Sequence, residues 1–311
     1  MMLADDIVVP LIPECSACIV DSLETLIPLL AENKEEQFEL FRLAYRRLSE
    51  GCKQGVEPVI LSILLYRELY SLKGVENPLR EIKRMSIKAA QRALPEVERE
   101  VSSQTDYEKL RAALAASIAG NLIDYNTSSH RPDLDKLVVS YRALLSEGFA
   151  IDDSRSMWES LTHRKGTLVF LADNAGETLF DTPLVRLTRE LGWNIDYVVK
   201  ARAMVNDATE EDVRGTEIEG LARIITTGAW AHGVPKRWVS QEFLDTVARS
   251  DMVISKGQAN IETFPEIQKD SGIETYYVLK AKCPHIAQAI NAKKGDNVVL
   301  RRPLKVGWTG P

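Results

Sequence analysis

The stretch at residues 167–177, TLVFLADNAGE, limits the possible folds of this chain more than any other. It begins with a short apolar run at residues 167–172, which is typical of a central strand in a parallel sheet covered by helices on both faces. The run ends at Asp173 and Asn174, and a helical periodicity follows over residues 178–191. A strand, a polar turn and a helix in this order indicate an open α/β fold, in which ligands bind at the carboxyl edge of the sheet.

The C-terminal half repeats this alternation of short apolar runs and helical patterns. Further runs lie at residues 195–200, 222–226, 252–255, 275–279 and 297–300, and helical patterns at residues 240–248 and 284–292. Strands that alternate with helices imply βαβ units and a mostly parallel sheet. We therefore predict a three-layer, Rossmann-like α/β domain over residues 151–311.

The N-terminal half has a different pattern, because apolar residues recur there at helical spacing. Ile19, Leu23, Leu26 and Leu30 form one such stripe, and similar stripes continue to about residue 145 without strand-like alternation. This periodicity is typical of amphipathic helices. We predict a helical N-terminal domain over residues 1–150.

Composition and charge exclude some classes of function. The 311 residues carry a formal net charge of -6, so a general basic surface for nucleic acid is not expected. No apolar run approaches the roughly 20 residues that a transmembrane helix needs, and the N-terminus does not have the pattern of a signal peptide. We expect a cytoplasmic protein without a membrane partner, in which local cations hold any anionic ligand.

Oxygen ligands for a cation follow two neighbouring strands of the predicted sheet. Asp173 and Asn174 end the first strand, and Asp207 follows the second. Adjacent strand ends of a parallel sheet lie about 5 Å apart, and Mg²⁺ or Mn²⁺ prefers oxygen ligands. Each residue also fits a helix N-cap, but their occurrence one βα unit apart favours a shared metal site.

Two later strand ends carry candidates for phosphate binding. Ser255, Lys256 and Gly257 form a turn before a helix, where backbone amides and a lysine suit a phosphate. Lys282 follows another strand, and its ammonium would stabilise a transferring phosphoryl group. Many βα turns contain serine and glycine, and lysines at strand ends are usually solvated, so structural roles remain open.

A helix in the N-terminal half contains two polar residues that share one face. Asn121 and Asp124 are three residues apart in SIAGNLIDYN. A helix that packs against the crevice would present both side chains to a substrate. A structural hydrogen-bonding role explains them equally well.

The four cysteines do not form a convincing metal-binding pattern. Cys15 and Cys18 make a C-x-x-C pair at a helix start, whereas Cys52 and Cys283 are isolated in the sequence. Zinc needs further ligands at suitable spacing, and a thioredoxin-like role needs a βαβ context that this region lacks. Buried thiols are the simpler interpretation.

Taken together, these residues resemble the metal-dependent damage-control phosphatases, the domain of unknown function 89 family. The matching positions are Asp173-Asn174 in DNAGE, Asp207 in VNDAT, Ser255-Lys256-Gly257 in SKGQAN, Lys282 in LKAKC, and Gly120-Asn121 with Asp124. The C-x-x-C pair and the Lys282-Cys283 pair are similar to the family's first subfamily, which is largely archaeal and bacterial. Eukaryotic members carry Arg-Thr-x-Lys where this chain has Leu-Lys-Ala-Lys at residues 279–282, so only the final lysine matches.

The resemblance implies hydrolysis of phosphomonoesters of small metabolites, such as sugar phosphates or related, damaged phosphometabolites. It implies that Asp173, Asn174 and Asp207 hold a divalent metal, which would be Mn²⁺, Mg²⁺, Co²⁺ or Ni²⁺. Ser255, Lys256 and Lys282 would then hold the phosphate of a small phosphorylated metabolite.

Two mechanisms fit this site. Glu177 would orient or deprotonate an attacking water, or Asp173 would attack and form an aspartyl-phosphate. The D-x-D pattern of haloacid-dehalogenase phosphatases is absent, because Ala175 stands two residues after Asp173. This difference favours attack by water.

Two other functions fit the same pattern. A strand with an acidic, glycine-containing turn also binds S-adenosylmethionine in carboxylate methyltransferases, although this turn has one glycine, Gly176. A non-catalytic phosphometabolite-binding protein would keep the crevice without turnover.

Overall fold

One mostly parallel sheet organises the protein, in a computed structural model that describes residues 7–121 and 136–303. Its strands are β1 Ile151–Asp152, β2 Thr167–Leu171, β3 Asn194–Val199, β4 Arg223–Thr226, β5 Met252–Lys256, β6 Thr275–Lys280 and β7 Asn297–Arg302. Their spatial order is β1-β7-β6-β5-β2-β3-β4, and only the β6–β7 pair is antiparallel. Strand β2, which the apolar run at residues 167–172 predicts, therefore lies inside the sheet, between β5 and β3.

Helices precede the sheet and then alternate with its strands. The first group is α1 Pro13–Leu30, α2 Lys34–Gly51, α3 Pro58–Lys73, α4 Arg80–Ser102, α5 Asp106–Gly120 and α6 Leu137–Glu147. The second group is α7 Ser154–His163, α8 Glu177–Glu190, α9 Glu210–Val213, α10 Ile218–Leu221, α11 Gln241–Arg249, α12 Gln258–Ser271 and α13 Pro284–Ala289. This order confirms a helical N-terminal region followed by an α/β region.

Strand β2 is apolar throughout because it is buried on both faces. Leu168 and Phe170 belong to one apolar cluster, whereas Val169 and Leu171 belong to another on the opposite face. Successive side chains of a strand point to opposite faces, so a strand covered on both sides needs a continuous apolar run.

Helices cover both faces of the sheet, which makes three layers. Residues of α4–α8 share one apolar cluster with the sheet, and residues of α11–α13 share the other. The predicted three-layer α/β architecture is confirmed. Because α4–α6 contribute to the core of the sheet, the division into two domains near residue 150 stays a prediction.

Helices α1–α3 form a cap over the carboxyl edge of the sheet. Their apolar residues cluster with Met204 and Val205, which follow β3, and with Ala229 and Ala231, which follow β4. The cap therefore packs on the loops where an open α/β fold binds its ligands. This packing places side chains of α1 and α3 opposite the strand ends.

The six predicted strands are confirmed, with end points shifted by one or two residues. The two-residue strand β1 was not predicted, because it is too short to produce an alternating pattern. Strand β7 runs antiparallel to β6, which the pattern of strands alone does not specify. Among the described residues, no helix is both long enough and apolar enough to span a membrane.

The substitution Leu184→Ala should lower the free energy of unfolding by about 2–5 kcal/mol, because it leaves a cavity in the core. Leu184 on α8 is fully buried in the cluster that α8 shares with the sheet. The control Val139→Ala removes an exposed side chain of α6 and should change stability by less than about 0.5 kcal/mol. Urea denaturation measures both, and equal effects would contradict this assignment of the core.

Candidate metal and phosphate site

The loops that follow β2 and β3 pair with each other and bring two strand ends together. The backbone N–H of Ala208 donates to the carbonyl of Asp173 at 2.8 Å, and that of Ala175 donates to Asn206 at 2.9 Å. An antiparallel bridge therefore sets Asn174 opposite Asp207. The backbone itself places the predicted metal ligands side by side.

The carboxylate of Asp173 is the centre of a hydrogen-bond network. Its Oδ2 accepts from Nδ2 of Asn121 at 2.7 Å and from Nδ2 of Asn174 at 3.2 Å. Burial raises the pKa of this carboxyl well above its usual value, and the nearby charges of Glu177 and Asp207 raise it further. The protein surroundings therefore favour the protonated form of Asp173. A bound cation would favour the charged carboxylate instead.

Behind Asp173 lies a buried ion-pair network. The Lys256 ammonium contacts Glu177 and donates to Oδ1 of Asp181 at 2.8 Å and to the carbonyl of Ser117 at 3.1 Å. Burial opposes the charge on Lys256, but the two carboxylates outweigh it and raise the lysine pKa. Burial raises the pKa of Asp181 to about 6, although Lys256 opposes this shift. These charges stabilise one another inside the protein.

Glu177 belongs to this network and is fully buried. Its Oε1 contacts Lys256, and its Oε2 accepts from Asn121 at 2.9 Å and from Asn174 at 3.2 Å. The two amides that donate to Oε2 also donate to Asp173, so Glu177 links Lys256 to the groups around Asp173. The predicted role of Glu177 towards an attacking water stays a prediction.

A second buried lysine, Lys200, lies beside Asp207. Its ammonium is 3.5 Å from Oδ2 of Asp207 and donates to Oδ1 of Asn260 at 3.2 Å. Asn260 in turn donates to the carbonyls of Ala172 at 3.0 Å and Lys256 at 2.7 Å. This lysine and asparagine tie the ends of three neighbouring strands together.

The turn after β5 comes very close to the site. Gly257 has a φ of 79°, which favours glycine, and a Cβ there would collide with the carboxylate of Asp173. Ser255 and Lys256 are consecutive strand residues, so they point to opposite faces of the sheet. Oγ of Ser255 is buried and has no hydrogen-bond partner among the described residues.

A cavity of about 180 Å³ opens between the strand ends and the helical cap. Five of the predicted residues line it, namely Asn121, Asp173, Asn174, Asp207 and Lys282. Glu177, Ser255, Lys256 and Gly257 do not line it and lie behind these residues, and Asp124 is outside the described residues. The roles predicted for all these residues stay predictions.

The residues at this edge of the sheet fit a divalent cation. Four carboxylates (Asp173, Glu177, Asp181 and Asp207) lie close to two buried lysines, Lys200 and Lys256. Lys256 pairs with Glu177 and Asp181 and Lys200 lies beside Asp207, whereas Lys282 adds a half-buried positive charge near Asp173. Asn121 also has a buried Oδ1 without a partner in residues 7–121 and 136–303. Carboxylate and amide oxygens are suitable ligands for a hard cation.

Three cysteines line the cavity, Cys15 and Cys18 on α1 and Cys283 after β6. Sγ of Cys283 is 2.8 Å from Nδ1 of His285, and Sγ of Cys15 is 3.8 Å from Nε2 of the same ring. Burial raises the pKa of Cys283 to about 11 and also raises that of Cys15, so both thiols are protonated at neutral pH. Within the described ranges, no three His, Cys, Asp or Glu side chains are arranged to hold a metal ion. The predicted cation set instead combines two carboxylates with amide oxygens.

Sequence reasoning missed Lys200, Asp181 and Asn260. Lys200 ends a buried apolar run, and Asp181 lies four residues after Glu177 on the same face of a helix. Lys200 and Asp181 each carried a signal, because a charged side chain in an apolar run or on a buried helix face needs a buried partner. The partners themselves come from other elements, so their identity was not available from local sequence.

A comparison with known families identifies the relatives of this chain. The sequence model for the damage-control phosphatase ARMT1-like domain matches residues 11–298. The chain belongs to this family. The family resemblance seen in the sequence is therefore confirmed, whereas the C-x-x-C subfamily stays a prediction.

Individual members of the family match over nearly their whole length. A damage-control phosphatase of Pyrococcus horikoshii is 31% identical over 94% of this chain and 98% of its own. An uncharacterised protein of Methanocaldococcus jannaschii is 30% identical over 93% and 95% of the two chains. A damage-control phosphatase of Archaeoglobus fulgidus is 26% identical over 92% and 97%.

A solved structure supports the fold as well. The crystal structure of a domain of unknown function 89 protein from Pyrococcus horikoshii aligns with a TM-score of 0.83 and 29% identity, over 94% of this chain and 99% of that one. The architecture described above is therefore that of the family.

The substitution Lys256→Met should destabilise the protein by about 3–5 kcal/mol at neutral pH, because it leaves Glu177 and Asp181 buried without their cation. The control Lys109→Met breaks an ion pair with Glu190 at the surface and should cost at most about 1 kcal/mol. Chemical denaturation of both variants measures the difference. A Lys256→Met protein as stable as the control would show that this network does not contribute to stability.

Proposed function

We propose that this protein is a metal-dependent phosphatase that hydrolyses phosphomonoesters of small metabolites, such as sugar phosphates or damaged relatives of them. The observation that carries the proposal is the convergence of Asp173, Asn174 and Asp207 on one cavity that Lys282 also lines. Two relatives over nearly the full length are named damage-control phosphatases, which supports the reaction class. The metal and the substrates are part of the proposal.

Asp173, Asn174 and Asp207 are the proposed metal ligands, with Oδ1 of Asn121 as an additional oxygen. A bound divalent cation supplies Lewis-acid polarisation of the phosphoryl group and lowers the pKa of a water molecule. Asn121 and Asn174 donate their amide N–H groups to the carboxylates, which leaves their amide oxygens for the cation.

The phosphate would lie between Lys282 and the first turn of α12. Gln258 and Ala259 begin this helix and line the cavity, so the free amides and the dipole of the helix favour an anion there. Lys282 adds a positive charge that stabilises negative charge on the phosphoryl oxygens. The turn at residues 255–257 would thus contribute by leading into this helix start.

Lys256 has a positioning role in this proposal, which differs from the phosphate contact predicted from sequence. Its ammonium is held by Glu177 and Asp181 in the interior. Glu177 in turn holds the amides of Asn121 and Asn174. Lys256 would therefore fix the geometry of the ligand set, since buried hydrogen-bonded partners restrict the side chains that they contact.

The substitutions Asp173→Ala and Asp207→Ala should each lower kcat/KM for para-nitrophenyl phosphate at least about hundredfold, because each removes a metal ligand. The control Asp270→Ala removes an exposed carboxylate that pairs with Lys236 and should keep wild-type activity. Initial rates with saturating Mn²⁺ measure the effect. Wild-type activity in either site variant would refute the proposed site.

Removal of divalent metal with a chelator should abolish hydrolysis, and Mn²⁺ or Mg²⁺ should restore it. Titration calorimetry should detect Mn²⁺ binding to the wild-type protein and none to the Asp207→Ala variant. S-adenosylmethionine should give no binding heat in the same experiment. Full hydrolysis after chelation would refute the metal dependence, whereas binding of S-adenosylmethionine without metal binding would favour the methyltransferase alternative.

A further inference from the structure

A row of alternating arginine and tryptophan side chains lies where α3 packs on the loops after β3 and β4. In the order of their ring contacts, the members are Arg202, Trp230, Arg67, Trp238 and Arg237. The Cζ atom of Arg202 is 3.9 Å from the centre of the Trp230 ring, and that of Arg237 is 4.6 Å from the centre of the Trp238 ring. None of these five residues lines the cavity of the proposed phosphate site.

The two indole rings hold the guanidinium groups of this arginine–tryptophan row in place. Arg67 contacts both rings, because its Cζ atom is 4.1 Å from the centre of Trp238 and 5.8 Å from that of Trp230. The indole N–H of Trp230 donates to the carbonyl of Ala203 at 3.0 Å, and its own carbonyl accepts from Nε of Arg67 at 2.5 Å. Stacking on a ring uses the face of a guanidinium group and leaves its N–H edge available to a ligand.

The three arginines of the row have no acidic partner. Within residues 7–121 and 136–303, no hydrogen bond or ion pair joins Arg67, Arg202 or Arg237 to a carboxylate. Burial lowers the pKa of the half-buried Arg67, and the charges of Arg202 and Arg237 lower it further. Like charges this close repel one another, so the row is an unfavourable arrangement that a bound anion would relieve.

Acidic side chains next to the row pair with other cations. Glu68 follows Arg67 in α3, but it binds Arg47 on α2. Lys236, in the loop before α11, pairs with Asp270 on α12. The row therefore presents uncompensated positive charge in a chain whose formal net charge is -6.

We propose that the arginine–tryptophan row binds a compact polyanion, namely the di- or triphosphate group of a nucleotide or of an inorganic polyphosphate. A guanidinium group binds phosphate oxygens through two parallel N–H groups, and three such groups in a row suit adjacent phosphates. A long nucleic acid would extend beyond the row over an acidic protein, which repels it. A short phosphate chain contacts the row alone.

Titration calorimetry with tripolyphosphate tests the site, in a chelator buffer that removes divalent metal from the cavity. The wild-type protein should bind tripolyphosphate at least about tenfold more tightly than inorganic phosphate, because several guanidinium groups then act on one ligand. The bound anion should also raise the unfolding temperature, since it binds only the folded protein. Equal affinity for the two anions, or no binding of either, would overturn the proposal.

Variants of the exposed arginines test the row itself. Arg202→Gln and Arg237→Gln should each weaken tripolyphosphate binding about tenfold, because each removes a charged hydrogen-bond donor. Arg46→Gln, at an exposed position of α2 outside the row, is the matched control and should bind as the wild type does. Lys282→Gln should also bind normally, since Lys282 lines the cavity instead. Loss of binding in Lys282→Gln but not in Arg202→Gln would place the anion in the cavity and overturn the proposal.

Further ligands identify the source of the phosphate chain. AMP, with one phosphate group, should bind at least about tenfold more weakly than ATP. Tighter binding of ATP than of tripolyphosphate would support a nucleotide, and equal binding would support an inorganic polyphosphate. A short single-stranded oligonucleotide that binds more tightly than both, and loses this binding in Arg202→Gln, would indicate a nucleic-acid surface and overturn the proposal.

Two controls separate anion binding from the proposed hydrolysis and from a structural role. Arg202→Gln should keep kcat/KM for para-nitrophenyl phosphate with Mn²⁺ within about twofold of wild type, because the row lies outside the cavity. Anion binding and hydrolysis are therefore lost in different variants. A lower unfolding temperature in Arg202→Gln with unchanged tripolyphosphate binding would show that the row only stabilises the fold, and would overturn the proposal.

Discussion

The pairing of two loops at the carboxyl edge of the sheet is the interaction on which the site depends. Backbone hydrogen bonds of Asp173 and Ala175 to the loop after β3 set Asn174 opposite Asp207. This pairing brings carboxylates together in the interior, where burial raises the pKa of Asp173 and the charges of Glu177 and Asp207 raise it further. Such an arrangement is unfavourable without compensation, which the surrounding amides and lysines supply in part and the proposed cation would complete.

The compensation is divided between groups in the interior and groups at the cavity. Lys256 balances Glu177 and Asp181 behind the site, whereas Lys200 lies beside Asp207. Neither ammonium is exposed, so both hold other residues in place. Lys282 differs because it lines the cavity. Three lysines at neighbouring strand ends therefore have different physical tasks, which burial and partners distinguish.

The helical cap gives the cavity two chemically different sides. The loops after the strands carry the carboxylates and Lys282, whereas α3 of the cap contributes Ser62, whose Oγ lies 3.0 Å from Nε2 of His232 in the loop after β4. A phosphomonoester has the same division, with a charged phosphate and a neutral alcohol. The packing of α1–α3 on the loops after β3 and β4 is what sets these two sides opposite each other.

Local sequence was sufficient to predict the six main strands and the helical N-terminal half, because burial leaves periodic patterns within a few residues. It was also sufficient to select Asp173, Asn174 and Asp207 as candidates, because they are polar residues that follow apolar strands. Local sequence did not determine the partners of Lys256. Neighbouring residues of a strand point to opposite faces of the sheet, and the sequence does not say which helices cover each face. The docking of the cap, the antiparallel strand β7 and the hydrogen bond between Ser62 and His232 depend on contacts between distant segments. Tertiary structure alone decided these features, since burial and hydrogen-bond partners are properties of the packed chain.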